Sequence, residues 1–72
     1  MIVKKNTTKY SIEYNLVQGD KVFKFIEYTD GNTDFSKRGE HIGLGYIWSP
    51  ATNKNITNIK DAKKFVRNRE YL

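Results

Sequence analysis

The chain has 72 residues, thirteen cations against eight acids, a net charge of +5 and no cysteine. That length suits one domain, residues 1–72, and a domain so small buries only about 60% of its unfolded surface, so its core must be thin. A disulfide framework and a thiolate metal centre are excluded, and the lone His41 lacks the companion ligands that zinc requires. No apolar run approaches the length of a membrane span or of a signal-peptide core, which points to a cytoplasmic protein.

Charge is unevenly placed. Residues 1–9 carry three lysines and no acid. Residues 10–51 carry four cations against six acids, and residues 52–72 carry six cations against two acids. Both ends are therefore basic and the middle is slightly acidic.

Taken in chain order, Lys4-Lys5-Asn6-Thr7-Thr8 is polar, and residues 1–8 read as a flexible arm or the lead-in to an edge strand. Tyr10 to Leu16 alternates strictly: Tyr10, Ile12, Tyr14 and Leu16 point one way, and Ser11, Glu13 and Asn15 the other. That is the period of a half-buried antiparallel strand. Gln18-Gly19-Asp20 supplies a tight turn. Lys21 to Tyr28 is a second strand, with Phe23 and Phe25 on one side and Val22, Lys24, Ile26 and Tyr28 on the other. A two-residue loop at Gly19-Asp20 sets Leu16 against Phe23 and Tyr14 against Phe25, gathering the aromatics on one face. A slip by one residue would put Ile26 and Tyr28 there instead; either way one apolar set, Val22, Ile26 and Tyr28 or the two Phe, is left over as a candidate contact surface.

Asp30-Gly31-Asn32 signals another turn. Thr33 to His41 is polar and charged, and its pattern fits either a long hairpin or a mobile loop. Ile42 to Trp48 reads as a third strand, with Ile42, Leu44, Tyr46 and Trp48 on one face; the glycines at 43 and 45 suggest a bulge or a close backbone approach. Pro50 ends it, and residues 51–55 form a loop. From Asn58 to Glu70 the pattern turns helical: Ile59, Ala62, Phe65 and Val66 form an apolar stripe, and Lys60, Lys63, Lys64 and Arg67 fall largely outside it. Thr57 or Asn58 is the cap, and Asp61 suits the positive end of the helix dipole.

The fold class expected is α+β: a small antiparallel sheet of three strands, or four if Ile2-Val3 or Ile56 adds a short edge, with one C-terminal amphipathic helix packed on the Tyr10/Ile12/Tyr14/Leu16 face. The order of elements resembles that of the arm-binding domains of some phage and transposon integrases, which read DNA with the sheet. The acidic balance of residues 10–51 runs against such a use here.

Catalytic signals are weak. Glu40 and His41 are adjacent and would point to opposite sides of an extended chain, so they cannot work as an acid–base pair. Gly43-Leu44-Gly45 begins like a dinucleotide-binding loop, but Trp48 stands where the third glycine belongs and no helix follows. We therefore expect no enzyme activity, no cofactor and no metal. The aromatics Tyr10, Tyr14, Phe23, Phe25, Tyr28, Tyr46 and Trp48 could form a base-stacking platform, but the strands that carry them are neutral to acidic, and core packing is the favoured reading.

A chain with contact surfaces and no chemistry reads as a small binding protein. Its size, and its Lys-, Asn-, Ile- and Tyr-rich composition, suit a phage or mobile-element accessory protein that docks on and inhibits a host protein or nucleoprotein complex, such as a defence system. Arg38, His41, Tyr28 and Trp48 are the candidate partner-binding residues, since hot spots favour Trp, Tyr and Arg. The alternative is a small basic DNA- or RNA-binding module using the C-terminal helix or the sheet, with Lys54, Lys60, Lys63, Lys64 and Arg67 as the candidate phosphate-binding residues.

Overall fold

The structure, a computed structural model, describes residues 1–43 and 45–72, with the backbone alone for residues 40–42. Five strands precede one helix: β1 (Ile2–Thr7), β2 (Ser11–Gln18), β3 (Lys21–Tyr28), β4 (Thr33–Ile42), β5 (Gly45–Pro50) and α1 (Ile59–Arg67). The strands form one antiparallel meander in the order β1-β2-β3-β4-β5. The sheet therefore has five strands, more than the three or four expected.

The register of the first hairpin follows from its turn. Gly19 sits at φ +60, the region glycine tolerates, and Leu16 lies opposite Phe23 and Tyr14 opposite Phe25, as the alternation requires. The next turn is tied by Asp30, whose carboxylate accepts from the Asn32 backbone N–H at 3.0 Å, while Gly31 takes φ +91. The ambiguous Thr33–His41 segment is strand: Phe25 lies opposite Phe35, and Lys24 opposite Ser36.

Two sequence expectations need correction here. The third strand was expected to run unbroken from Ile42 to Trp48. Instead β4 ends at Ile42, a turn follows with Gly43 at φ +61, and β5 starts at Gly45. Glycine alternating with large apolar residues imitates a strand, but a positive φ reverses the chain. Leu44, expected on that strand's apolar face, lies outside the described residues. The bulge expected near Gly43 lies instead in β4: the β4–β5 register shifts between Arg38 and His41, beside Gly39, whose Cα approaches Ile47 so closely that a Cβ there would stand 3.1 Å from the Ile47 carbonyl oxygen.

α1 spans Ile59–Arg67, shorter than the 58–70 pattern. Asn58 is the N-cap and its side-chain oxygen accepts from the Asp61 backbone N–H at 2.8 Å. At the other end the Asn68 N–H donates to the Lys64 carbonyl, and Arg69, at φ 54, turns the chain out of the helix.

Residues opposite one another in an antiparallel ladder share a face. Leu16, Phe23, Phe25 and Phe35 thus lie on one side of the sheet, and they form a single buried cluster with Ala51 and with Ala62, Phe65 and Val66 of α1. The Phe65 ring meets Phe35 edge-on at 5.4 Å and Phe23 at 6.3 Å. Tyr71 adds a ring 5.0 Å from Phe23. The helix lies chiefly against β2 and β3, and its Phe65 ring reaches Phe35 of β4. Tyr10, expected on the core face, is 67% exposed and lies before β2 starts.

Candidate functional site

The other face of the sheet carries what the core does not use. Its ladder rows can be read from the register: Ser11 opposite Tyr28; Glu13, Ile26 and Asp34 in one row; Asn15, Lys24, Ser36 and Pro50 in the next; Arg38 opposite Trp48. The leftover set Val22, Ile26 and Tyr28 is therefore on this face. So are Tyr46 and Trp48, two residues apart on β5.

This corrects the expectation that the aromatics are mainly core. Phe23 and Phe25 are buried and Tyr14 packs against the cluster, but Tyr28, Tyr46 and Trp48 stand on the opposite face at 42%, 50% and 37% exposure. The physical reason is capacity. One nine-residue helix can cover only the middle strands on one side of a five-stranded sheet.

The exposed rings are organised by cations. The Lys24 Nζ lies 4.2 Å from the centre of the Trp48 ring, and the Arg38 guanidinium carbon lies 4.2 Å from that of Tyr46. Lys24 is on β3 and Trp48 on β5, so their contact passes above β4. Ser36, between them on β4, is only 6% exposed although it belongs to the open face, and its hydroxyl has no hydrogen-bond partner. The indole and the lysine stem together roof it. Such cation–ring contacts at exposed sites contribute about 0.5–1 kcal/mol each.

Of the residues singled out from the sequence, Arg38, Tyr28 and Trp48 are on this face, and Arg38 and Trp48 are direct cross-strand neighbours. The backbone of His41 pairs with Tyr46, while the side chains of His41 and Glu40 lie outside the described residues. Lys24 and Tyr46 were not singled out. Their signal was the register: only once Thr33–Ile42 is a strand does Lys24 come within reach of Trp48. Arg38 and Tyr46 also line a cleft of about 420 Å³ at the end of the sheet, with Lys21, Lys37 and Tyr71.

The basic helix is a separate surface. Lys60, Lys64 and Arg67 are exposed at helical row spacing, and Lys63 is half-buried. Lys54 does not belong with them as a free cation, because its Nζ pairs with the Glu70 carboxylate at 2.7 Å, the one ion pair among the described residues.

Among the described residues no group of three or more His, Cys, Asp or Glu could hold a metal ion, and no helix is long and apolar enough to cross a membrane. No protein-family model matches the chain, and neither does any curated protein or solved structure.

Proposed function

We propose that this protein is a non-enzymatic binding protein that docks on a macromolecular partner through the open face of its sheet. The observation that carries the proposal is the pairing of exposed aromatics with cations, Trp48 with Lys24 and Tyr46 with Arg38, on the side opposite the helix. Trp, Tyr and Arg are the residues that dominate protein hot spots, and rings held in place lose little freedom on binding. The helix packed across the other face gives that surface its rigid backing. The setting we favour is a phage or mobile-element accessory protein acting in the cytoplasm, which blocks a host protein or nucleoprotein complex, such as a defence system, by occupying its surface. This setting is supported by size and composition, and by the presence of contact surfaces without an evident reaction centre.

The test is a pull-down from nuclease-treated bacterial lysate, followed by affinity measurements on the recovered partner. Trp48→Ala, Tyr46→Ala and Arg38→Ala are expected to weaken binding at least about tenfold each, the scale of a hot-spot truncation. Tyr28→Ala, on the same face, and His41→Ala, at the β4 position paired with Tyr46, complete the scan. Retention of full affinity by all five variants would refute the proposal.

A second reading is favoured by the unpaired row Lys60, Lys64 and Arg67. Like charges four apart on a helix repel by a few tenths of a kcal/mol, and no carboxylate is ion-paired with them among the described residues. A row of this kind suits a phosphate backbone, with Lys63 beside it. Binding of this type would be weak, independent of sequence and steeply salt-dependent. Loss of all lysate partners on nuclease treatment, and loss of binding in the Lys60→Glu/Lys64→Glu double variant alone, would move the assignment to nucleic acid.

A further inference from the structure

The two edges of the sheet are built differently. β1 carries Lys4 and Lys5, the residues that natural sheets place on an edge to stop it pairing with another strand. β5, Gly45-Tyr46-Ile47-Trp48-Ser49-Pro50, carries no charge at all. Tyr46, Ile47 and Trp48 are all exposed, and Ile47, on the helix side of the strand, is 51% exposed, beyond the β2, β3 and Phe35 positions against which α1 packs. An uncharged, apolar edge left uncovered on both faces invites a further strand.

The orientation of β5 says which strand fits. The Ala51 N–H donates to the Phe35 carbonyl at 3.1 Å, so position 51 turns its backbone polar groups toward β4. Orientation alternates along a strand, so Pro50 and Trp48 turn theirs outward, with Tyr46 in the same phase. The N–H-less Pro50 thus falls on the outer side, where proline is tolerated in a sheet.

We propose that this edge pairs with β5 of a second copy of the chain, antiparallel and with the two-fold axis through Ile47. In that register Trp48 of each copy faces Tyr46 of the other in the positions that exchange backbone hydrogen bonds. The two Ile47 side chains meet on the helix side, and Pro50 lies beyond the bonded pairs. The arrangement is self-complementary, as a two-fold interface must be. It brings no charge of one strand against a like charge of the other. It is also closed: the sheet that results ends on β1 at both sides, where Lys4 and Lys5 stop further addition. The pairing does not rest on the docking role proposed above; if both hold, the two open faces become one continuous surface.

Sedimentation and cross-linking test it. The mass of the wild-type chain should rise from 8.5 kDa toward twice that value with concentration. Ile47→Lys, a charge placed on an exposed edge position, should stay monomeric with an unchanged fold. The absence of native cysteine allows a register test. Opposed Cα atoms at a non-bonded antiparallel pair lie about 4.5 Å apart, within reach of a disulfide. Ile47→Cys should therefore cross-link into a covalent dimer under mild oxidation. Ser49→Cys should not, since the two copies of residue 49 would be about 14 Å apart along the strands. A wild-type mass that stays at the monomer value up to the solubility limit would overturn the proposal, as would a dimer unaffected by Ile47→Lys, or Ser49→Cys cross-linking as readily as Ile47→Cys.

Discussion

Phe65→Ala should remove a large part of the domain's stability and can leave it unfolded. Phe65 is 2% exposed, and its ring touches Phe23, Phe35 and Tyr71, so one side chain joins α1 to β3, β4 and the C-terminal turn. A phenylalanine buries roughly 150–250 Å². At about 25 cal/mol per Å², and allowing for the methyl that alanine keeps, the transfer loss is about 3–4 kcal/mol. Measured Phe→Ala costs in cores reach about 3–5 kcal/mol once the cavity is included. A chain of this length has a total stability of about 4–11 kcal/mol. The substitution thus removes between a third and all of it. Urea denaturation followed by far-UV circular dichroism is the assay. With a slope of about 1 kcal/mol per molar for so small a domain, the midpoint should fall by about 3 M or more, or no folded baseline should remain. A midpoint within about 0.5 M of wild type would mean that the helix is not anchored through this ring, and the account of the core would fail.

Asn58→Ala removes the acceptor for the Asp61 N–H and should lower stability by about 1 kcal/mol in the same denaturation. Gly31→Ala places a Cβ at φ +91 and should cost about 1–2 kcal/mol by melting temperature, although nothing crowds the site. Ser36→Ala discards a buried, unpartnered hydroxyl beneath Trp48 and should be neutral or stabilising; a loss above about 1 kcal/mol would show that the hydroxyl is satisfied. Lys24→Ala should shift the emission of Trp48, the single tryptophan, while costing no more than about 1 kcal/mol, since the contact is a surface one.

The parts of this fold that could be read from the sequence are those where one face is apolar and the other polar. β2 alternates strictly, and a two-residue turn favours the pairing of Leu16 with Phe23, which gathers Phe23 and Phe25 on its apolar side where a slip by one residue would bring Ile26 and Tyr28. α1 has both its stripe and its cap. β4 has neither: Phe35 is its only large buried side chain among the described residues, and one apolar residue defines no period. β1 is exposed along its whole length, so nothing in its composition separates an edge strand from a loose arm. The open face was hidden for the same reason as β4. Its members come from four strands, and their neighbourhood exists only after Thr33–Ile42 has been placed in the sheet. Arg38, Tyr28 and Trp48 could be named from residue type, whereas Lys24 and Tyr46 required the register.

The meander has a consequence for how the chain reaches its native state. Every strand pairs with its neighbour in sequence, so the sheet can be laid down hairpin by hairpin with short loop closures throughout. The cover for its apolar side comes from α1, which follows all five strands in the chain. During synthesis, Leu16, Phe23, Phe25 and Phe35 are therefore on display until residues 59–67 have left the ribosome and folded back. That interval is when a nascent chain is most exposed to aggregation and to chaperones.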